Sequence, residues 1–244
     1  MLKKRNSFLM VIPARYKSTR FPGKPLAKIK GIPMIKRTYM QCLKATHKSN
    51  IVVATEDIKI KEYCIKNDIP VLMTSKKCLT GTDRIAEIAK KTKFDFYINV
   101  QGDEPIFDPL DIKNLIKNMY KNPHSVLTGF CKINEIKLFE SKNIPKVIIG
   151  NNNELLYMSR KPIPNNGLNK KLNIFPLRQV CAYSFPRKLL LKFPKKNKTY
   201  LEKLEDIEIL RFLELGIPVK MVKMSSNSIA VDIRSDILRV EKLI

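Results

Sequence analysis

Hydrophobic positions in the first hundred residues form short runs separated by polar stretches with helical spacing. Three largely apolar runs have the length of buried strands: Phe8–Pro13, Asp95–Val100 and the β-branched Asn50–Thr55, which is typical of a strand buried on both faces. Between them, Ile32–Cys42 and Ile58–Asn67 carry apolar residues at helical intervals, and Pro70–Met73 is a further short strand. This alternation of strand and helix predicts βαβ units and a mostly parallel sheet.

The pattern changes after residue 132. A helix over Pro109–Lys121 and a strand over Val126–Lys132 are followed by two strand-like runs, Asn143–Ile149 and Glu154–Arg160, around the polar turn Gly150–Asn153. That order predicts a hairpin instead of another βαβ unit.

The C-terminal third is predicted to contain two helices and two strands. Thr199 and Glu202 form a capping box that opens a long helix ending near Leu215, before Gly216. Apolar runs predict a strand over Val219–Val222 beside a second over Ser228–Asp232. A last helix, capped by Ser235 or Asp236, follows over Ile233–Leu243.

Composition narrows the class of protein. The chain has 244 residues with 44% hydrophobic content, enough for a full core, and we interpret it as a single domain over residues 1–244. The net charge of +25 admits a nucleic-acid-binding protein, but the lysines are dispersed and no recognition motif accompanies them. We therefore predict a solvated basic surface that attracts anionic substrates, with no nucleic-acid partner.

The cysteines and the hydropathy of the chain indicate the cellular compartment in which the protein works. The five cysteines are scattered without a C-x-x-C pair, which favours free thiols in a reducing cytoplasm over zinc ligands or disulfides. No apolar run is long enough to span a membrane, and the N-terminus lacks a signal sequence, so we expect a cytoplasmic protein without membrane insertion.

Candidate chemistry begins in the loop after the first strand. Residues 14–26 combine cations with Pro22, Gly23 and Pro25, and cations at a strand's C-terminal end suit phosphate binding. Neither a Walker A loop nor G-x-G-x-x-G is present, so side chains would have to hold the phosphates.

Two further turns carry candidate residues. Residues 79–87 read Leu-Thr-Gly-Thr-Asp-Arg-Ile-Ala-Glu, where Thr82 or Asp83 caps a helix beginning near Ile85; its N-terminus is either an anion site or a simple capping turn. Asp103 follows the strand ending at Val100 and suits Mg²⁺, which prefers carboxylate and phosphate oxygens.

These motifs resemble, in order, those of the sugar-acid cytidylyltransferases, most closely the CMP-Kdo synthetase (3-deoxy-manno-octulosonate cytidylyltransferase) family. The resemblance spans the chain from Phe8 and is most specific in Ile12–Leu26 and in Val-Gln-Gly-Asp-Glu-Pro at 100–105. It continues in Tyr-Met-Ser-Arg at 157–160 with Ile163-Pro164, in Leu177–Tyr183, in the helix containing Glu208, and in Val231-Asp232. The fold implied is an α/β nucleotidyltransferase with a mixed, mainly parallel sheet and a β-rich dimerisation arm over residues 133–194.

The resemblance implies transfer of CMP from CTP to a 3-deoxy-2-ulosonic acid, most closely Kdo, in a homodimer that serves lipopolysaccharide or other surface glycan synthesis. Its implied nucleotide-binding residues are Ala14, Arg15, Lys24, Thr80, Gly81, Thr82 and Arg84. The implied Mg²⁺ ligands are Asp103 and Asp232, and the catalytic group comprises these two with Arg15 and Lys24. The implied sugar-binding residues are Gln101, Arg160, Gln179, Tyr183 and Glu208.

Two departures from the family pattern leave the substrate open. Gln179 replaces a histidine and Ile209 replaces a glutamine at positions near the sugar. Kdo, 8-amino-Kdo and a nonulosonic acid all remain candidate substrates. An inactive paralogue that acts as a binding subunit is the other alternative, against which the retained Arg15, Lys24 and both aspartates argue.

Overall fold

The computed structural model describes residues 7–17, 20–165, 175–195 and 197–244, so residues 166–174 of the predicted arm lie outside the described ranges. The chain forms two compact units, the first made of residues 1–113 and 227–244 and the second of residues 114–226. Each unit has its own strands and helices.

The first unit contains a parallel sheet of four strands: β1 (Phe8–Ala14), β4 (Ile51–Thr55), β5 (Val71–Met73) and β6 (Phe96–Val100). Their order across the sheet is β6, β1, β4, β5. The predicted buried strands are confirmed, because every residue of β4 and β6 is buried, as a strand covered on both faces requires.

Helices connect these strands. The unit contains α1 (Met34–Leu43), α2 (Ile58–Lys66), α3 (Gly81–Lys91) and α9 (Arg234–Glu241), and a two-stranded ribbon of β2 (Lys28–Ile29) and β3 (Ile32–Pro33) precedes α1. The boundary between the units falls inside α4 (Pro109–Lys121). Asp57 begins α2 by accepting a hydrogen bond from the Lys59 amide at 2.9 Å.

The second unit combines parallel and antiparallel strands. β7 (Val126–Lys132) pairs in parallel with β11 (Val219–Lys223) and antiparallel with β10 (Leu177–Pro186). The predicted hairpin is present as β8 (Lys146–Ile149) and β9 (Leu155–Ser159), with β8 also beside β10. The unit's short helices are α5 (Ile136–Glu140), α6 (Arg187–Leu190), α7 (Tyr200–Glu205) and α8 (Leu210–Glu214).

The predicted long helix from Thr199 to Leu215 is wrong. It divides into α7 and α8 because Asp206 adopts a left-handed conformation with φ of 50°, which ends the first helix. The start was placed correctly, since Glu202 accepts a hydrogen bond from the Thr199 amide at 3.2 Å.

Three local expectations in the first unit also need correction. Residues 228–232 do not form a ladder strand; the Val231 amide donates to the Asp103 carbonyl at 2.9 Å. Helix α3 begins at Gly81 instead of near Ile85, because Thr80 and Asp83 form a reciprocal capping box one turn earlier than expected. Helix α9 begins earlier than the predicted caps: Ile233 is its N-cap residue, and Asp236 in the first turn accepts hydrogen bonds from the amides of Asp232 and Ile233.

None of the five cysteines, all of which lie within the described ranges, takes part in a disulfide. Burial raises the pKa of Cys64 to about 12, which makes it a poor nucleophile at neutral pH. Within the described residues, no helix combines the length and apolar character needed to cross a bilayer.

Candidate active site

The strand order of the first unit places a switch point between β1 and β6. The chain runs from β1 to β4 and β5 on one side, and then returns to β6 on the other side of β1. Open α/β sheets bind ligands at such a switch point, outside the carboxyl ends of the strands. Arg15 follows β1 and Asp103 follows β6, as the sequence indicated.

The cationic loop after β1 is shaped by a glycine. Gly23 adopts φ of 72°, and its amide donates to the Tyr16 carbonyl at 2.9 Å, which closes the loop. A short 3-10 turn, Lys24–Leu26, follows. Pro25 lies within this turn, because proline is tolerated in a first helical turn. Arg15 is exposed, whereas Lys24 points into the protein.

Lys24 joins the two predicted metal-binding carboxylates. Its Nζ atom lies 2.6 Å from Asp103 Oδ2 and 3.7 Å from Asp232 Oδ1, and it also donates to the Val231 carbonyl at 2.9 Å. Only 15% of the Lys24 side chain is exposed, against 28% for Asp103 and 39% for Asp232. Residues 129 positions apart along the chain thus meet at one ammonium group. We call Lys24, Asp103 and Asp232 the carboxylate–lysine cluster.

An apolar cluster holds the Asp232 segment in place. Val231 is fully buried with Phe21, Ile29, Met34 and Val240, so the loop after β1 and helix α9 share one small core. This burial positions the neighbouring Asp232 carboxylate without a regular strand. Arg20 from the same loop pairs with Asp232 at 3.0 Å, an exposed contact that the sequence analysis missed.

Close backbone approach explains the glycine before Asp103. A Cβ atom at Gly102 would lie 2.7 Å from the Pro13 carbonyl oxygen, a distance at which the backbone would have to move. Gly102 therefore lets the turn carrying Asp103 lie directly against the end of β1. A Cβ atom at Gly81 would come within 3.7 Å of Gln101 Nε2, so the Gln101 amide lies beside the N-terminus of α3.

The predicted nucleotide motif at residues 80–84 separates into two parts. Thr80 and Gly81 form the start of α3, an 11-residue helix whose N-terminal amides favour an anion. Thr82 is buried, and Arg84 is only 1% exposed. Arg84 Nη2 lies 2.6 Å from Glu56 Oε2, and Nη1 donates to the Thr74 hydroxyl, so this guanidinium connects the ends of β4 and β5 to α3.

In the second unit, Arg160 caps the end of α7. Its guanidinium donates to the carbonyls of Glu205 at 2.7 Å, Asp206 at 2.9 Å and Lys142 at 3.2 Å. The Glu205 carboxylate in turn accepts from the Arg160 amide and the Ser159 hydroxyl, each at 2.8 Å. Arg160 thereby stabilises the break between α7 and α8, where the predicted sugar ligand Glu208 lies half-buried.

The protonation of Glu205 follows from these contacts. Burial alone would raise its pKa, but hydrogen bonds from the Arg160 amide, Ser159 and Tyr157 and the Arg160 charge outweigh burial. The pKa of Glu205 therefore lies below its ordinary value, and its carboxylate stays ionised at neutral pH. Glu205 lies six residues after the Thr199 cap, and nothing in the local sequence names Arg160 as its partner.

Lys146 is a fully buried cation next to this network. Its Nζ atom donates to the carbonyls of Ser141 at 2.9 Å, Ile144 at 2.7 Å and Arg160. Burial and the neighbouring Arg160 charge lower the pKa of Lys146, and Glu205 opposes that effect. Three carbonyls match the three N–H donors of one ammonium group, so burial leaves its polar atoms satisfied.

Gln179 and Tyr183 both project from β10 and contact each other. Gln179 is 5% exposed, and its Nε2 atom donates to Tyr183 Oη at 3.1 Å and Thr128 Oγ1 at 3.3 Å. The Tyr183 ring stacks on Phe185 with centroids 5.8 Å apart. Ile209, the second departure from the family pattern, is 2% exposed and belongs to the core of the second unit.

The buried pair of Glu202 and Arg211 was also missed. Two Glu202 oxygens accept from Arg211 Nε and Nη2 at 2.6 Å each, and the guanidinium lies 3.7 Å from the centre of the Phe193 ring. Both side chains are at most 2% exposed. The capping box at Thr199 identifies Glu202 in the sequence, but no sequence pattern indicates that Glu202 pairs with Arg211.

The described residues include no group of three or more histidine, cysteine, aspartate or glutamate side chains arranged to hold a metal ion. Asp103 and Asp232 are nevertheless two carboxylates already gathered around one cationic group. Such a pair suits a hard cation that completes its coordination with water and phosphate oxygens.

The site and the fold define the general class of protein. A sheet switch point with cations for phosphate, a helix N-terminus and paired carboxylates is the arrangement of an α/β nucleotidyltransferase. Comparison with known proteins narrows this class. A cytidylyltransferase family model matches residues 9–227.

Individual relatives and a solved structure extend over nearly the whole chain. The 3-deoxy-manno-octulosonate cytidylyltransferase of Geotalea daltonii is 40% identical over 243 residues, covering 94% of this chain and 95% of that protein. The mitochondrial protein of the same name from Arabidopsis thaliana is 36% identical, covering 99% of this chain and 84% of its own length. A structure of CMP:2-keto-3-deoxy-manno-octonic acid synthetase complexed with CTP aligns with a TM-score of 0.90 at 31% identity, covering 97% of this chain and 98% of that one. The chain belongs to the 3-deoxy-manno-octulosonate cytidylyltransferase family.

Proposed function

We propose that this protein transfers CMP from CTP to the anomeric hydroxyl of 3-deoxy-manno-octulosonate and releases pyrophosphate. The observation that carries the proposal is the carboxylate–lysine cluster, in which Lys24, Asp103 and Asp232 meet at the switch-point edge of the first unit. Family membership supplies the substrates, since the related structure is a complex with CTP.

Binding of the triphosphate is assigned to the loop after β1 and the start of α3. Arg15 is exposed at the end of β1, with Ala14 immediately before it, and Lys24 lies across the loop. The amides of Gly81 and Thr82 at the N-terminus of α3 add partial positive charge, whereas the Thr80 amide donates to Asp83 within the capping box. We assign Arg84 a positioning role, because its buried pairing with Glu56 stabilises the start of that helix.

We propose Asp103 and Asp232 as the residues that hold Mg²⁺. The two carboxylates fit a hard cation, since both are partly exposed and converge on a single positive group. When bound, Mg²⁺ would supply positive charge that neutralises the phosphate oxygens.

The reaction requires mainly positioning and charge stabilisation from the chain's own residues. The anomeric oxygen forms a bond to the α-phosphorus, the bond between that phosphorus and the bridging oxygen breaks, and the hydroxyl proton is released. Arg15 and Lys24 stabilise the negative charge that develops on the departing pyrophosphate. No covalent intermediate with the protein is needed.

In the second unit, four residues are proposed to bind the sugar acid: Arg160, Gln179, Tyr183 and Glu208. Gln101 is the sugar-binding residue proposed in the first unit. Arg160, as a cation, suits the sugar carboxylate. When bound to that carboxylate, Arg160 would keep only some of its hydrogen bonds to the carbonyls of Glu205 and Asp206. Gln179 and Tyr183 form one hydrogen-bonded pair, and Glu208 lies in the break between α7 and α8. These residues supply polar groups for the hydroxyls of an eight-carbon acid.

The proposal includes the domain organisation, oligomeric state and location of the enzyme. We propose a single catalytic domain over residues 1–244 that works as a cytoplasmic homodimer, with residues 133–194 as its dimerisation and sugar-binding arm. The product would serve lipopolysaccharide or other surface glycan synthesis. Sedimentation velocity would test the dimer directly, since a monomer at micromolar concentration would contradict it.

Pyrophosphate release is the test of the reaction. The protein is mixed with CTP, Mg²⁺ and one acid from a panel of Kdo, 8-amino-Kdo and a nonulosonic acid, and EDTA serves as the metal control. We expect release with Kdo and its loss with EDTA. Release with another acid alone would make Gln179 a substrate-selecting residue. CTP binding without release for any acid would overturn the proposal in favour of an inactive binding subunit.

A further inference from the structure

Lys24 contacts the same carboxylates that the proposed function gives to the metal. Its ammonium group can only donate hydrogen bonds, and it donates to Asp103 Oδ2 and to the Val231 carbonyl. It also lies 3.7 Å from Asp232 Oδ1. A divalent cation bound by both carboxylates would meet this positive charge at close range. The two cations therefore compete for one pair of carboxylates.

The surroundings make that competition strong. The Lys24 side chain is mostly buried, so solvent screens its attraction to Asp103 less than at an exposed pair. Arg20 also contacts Asp232, but its side chain is 58% exposed and its pairing is correspondingly weaker. Lys24 is the stronger of these two counterions.

We propose that Lys24 acts as an exchangeable internal counterion, which occupies the carboxylate pair in the free protein and moves to the phosphates when a divalent cation and nucleotide bind. This inference rests on the proposed function for the identity of the anion that receives Lys24. The exchange makes the carboxylates a poor site for a cation alone and a good one for a cation that arrives with its triphosphate. Lys24 thus couples metal binding to nucleotide binding.

Lys24 also keeps the two carboxylates in place before the substrate binds. Two carboxylates brought together without a cation repel each other, and Lys24 removes that repulsion. Its bond to the Val231 carbonyl links the cluster to the buried Val231 side chain, which anchors the Asp232 segment. The same residue therefore prepares the carboxylates and later leaves them.

Direct measurement of Mn²⁺ binding, without nucleotide or sugar, tests the proposal. Isothermal titration compares the full-length wild-type chain with Lys24→Met and with Lys17→Met, which removes the same charge from an exposed position of the same loop. We expect Lys24→Met to lower the Mn²⁺ dissociation constant by about tenfold, because a charge-assisted hydrogen bond no longer opposes binding. Lys17→Met should change it by less than about threefold. Equal effects of the two variants, or no effect of Lys24→Met, would overturn the proposal.

A second measurement uses the wild-type chain and does not depend on the variant folding. Lysine acetylation is followed by peptide mass spectrometry with and without Mn²⁺. We expect the acetylation rate of Lys24 to rise several-fold with Mn²⁺ and to fall again when CTP is added. A rate unaffected by Mn²⁺, under conditions where titration shows binding, would contradict the exchange. Failure of the proposed reaction would appear in the pyrophosphate assay, so the two ideas fail separately.

Discussion

The buried ion pair of Glu202 and Arg211 yields a stability prediction for Arg211→Met. The substitution removes both 2.6 Å hydrogen bonds while Glu202 remains 1% exposed, so a carboxylate is left in the interior without its counterion. Breaking one side of a buried pair costs about 3–5 kcal/mol. The stacking of the guanidinium on Phe193 and its hydrogen bond to the Phe193 carbonyl at 3.1 Å are lost as well, which places the expected cost in the upper part of that range.

Calorimetry and urea unfolding measure this cost. In a protein of this size each kcal/mol lowers Tm by about 2–4 °C, so a cost of about 4–5 kcal/mol gives an expected decrease of about 8–20 °C in the transition of the second unit. Lys198→Met is the matched control, because it breaks an exposed pair with Asp206 at 3.2 Å and should cost less than about 1 kcal/mol. The double variant Glu202→Leu/Arg211→Met should recover part of the loss, since no charge remains buried. A loss for Arg211→Met no greater than that of the control would refute the reasoning.

Three further predictions concern the site and its support. Asp103→Asn should abolish pyrophosphate release while leaving the circular dichroism spectrum unchanged, and a near-normal rate would contradict the metal assignment. Gly102→Ala places a Cβ atom 2.7 Å from the Pro13 carbonyl and should cost about 1–3 kcal/mol in urea unfolding, with reduced turnover from the displaced carboxylate; wild-type values for both would contradict the close approach. Glu205 has a lowered folded pKa, so its contribution to stability is present above the unfolded value near 4.5 and is lost as pH falls through the folded pKa. The difference in unfolding free energy between wild type and Glu205→Gln should therefore be constant near neutral pH and shrink below about pH 4.5, and a pH-independent difference would count against this account.

Much of the parallel sheet could be predicted because its strands carry their own signal. β4 and β6 are buried on both faces, so nearly every residue in them is apolar and the run is visible without any knowledge of the fold. The hairpin of β8 and β9 was equally visible, because the polar turn at Gly150–Asn153 interrupts two apolar runs.

The long C-terminal helix could not be predicted correctly because its interruption is tertiary. Asp206 is left-handed, and the carbonyls freed at that point are capped by Arg160, which lies about 45 residues earlier in the chain. Local periodicity through Leu201, Leu204 and Ile207 gives no sign of that partner.

In the candidate site, too, some features could be predicted from the sequence and others depend on tertiary contacts. Asp103 was identified from its place after a buried strand, and Asp232 only through resemblance to a family, since residues 228–232 lack ladder pairing. Their convergence on Lys24 depends on the apolar contacts of Val231 and the close approach at Gly102. Such contacts join distant segments, and a single sequence does not reveal them.

The burial of Arg84 has a consequence for how this chain can change over generations. Lysine outnumbers arginine by about three to one, as expected of a sequence drifting toward lysine, and an exposed cation can follow that drift at little cost. Arg84 cannot, because its planar fork reaches Glu56 with one nitrogen and Thr74 with another, whereas a lysine offers one point charge on a flexible stem. A lysine at position 84 would therefore leave either Glu56 or Thr74 without its partner, so this buried position requires the arginine fork.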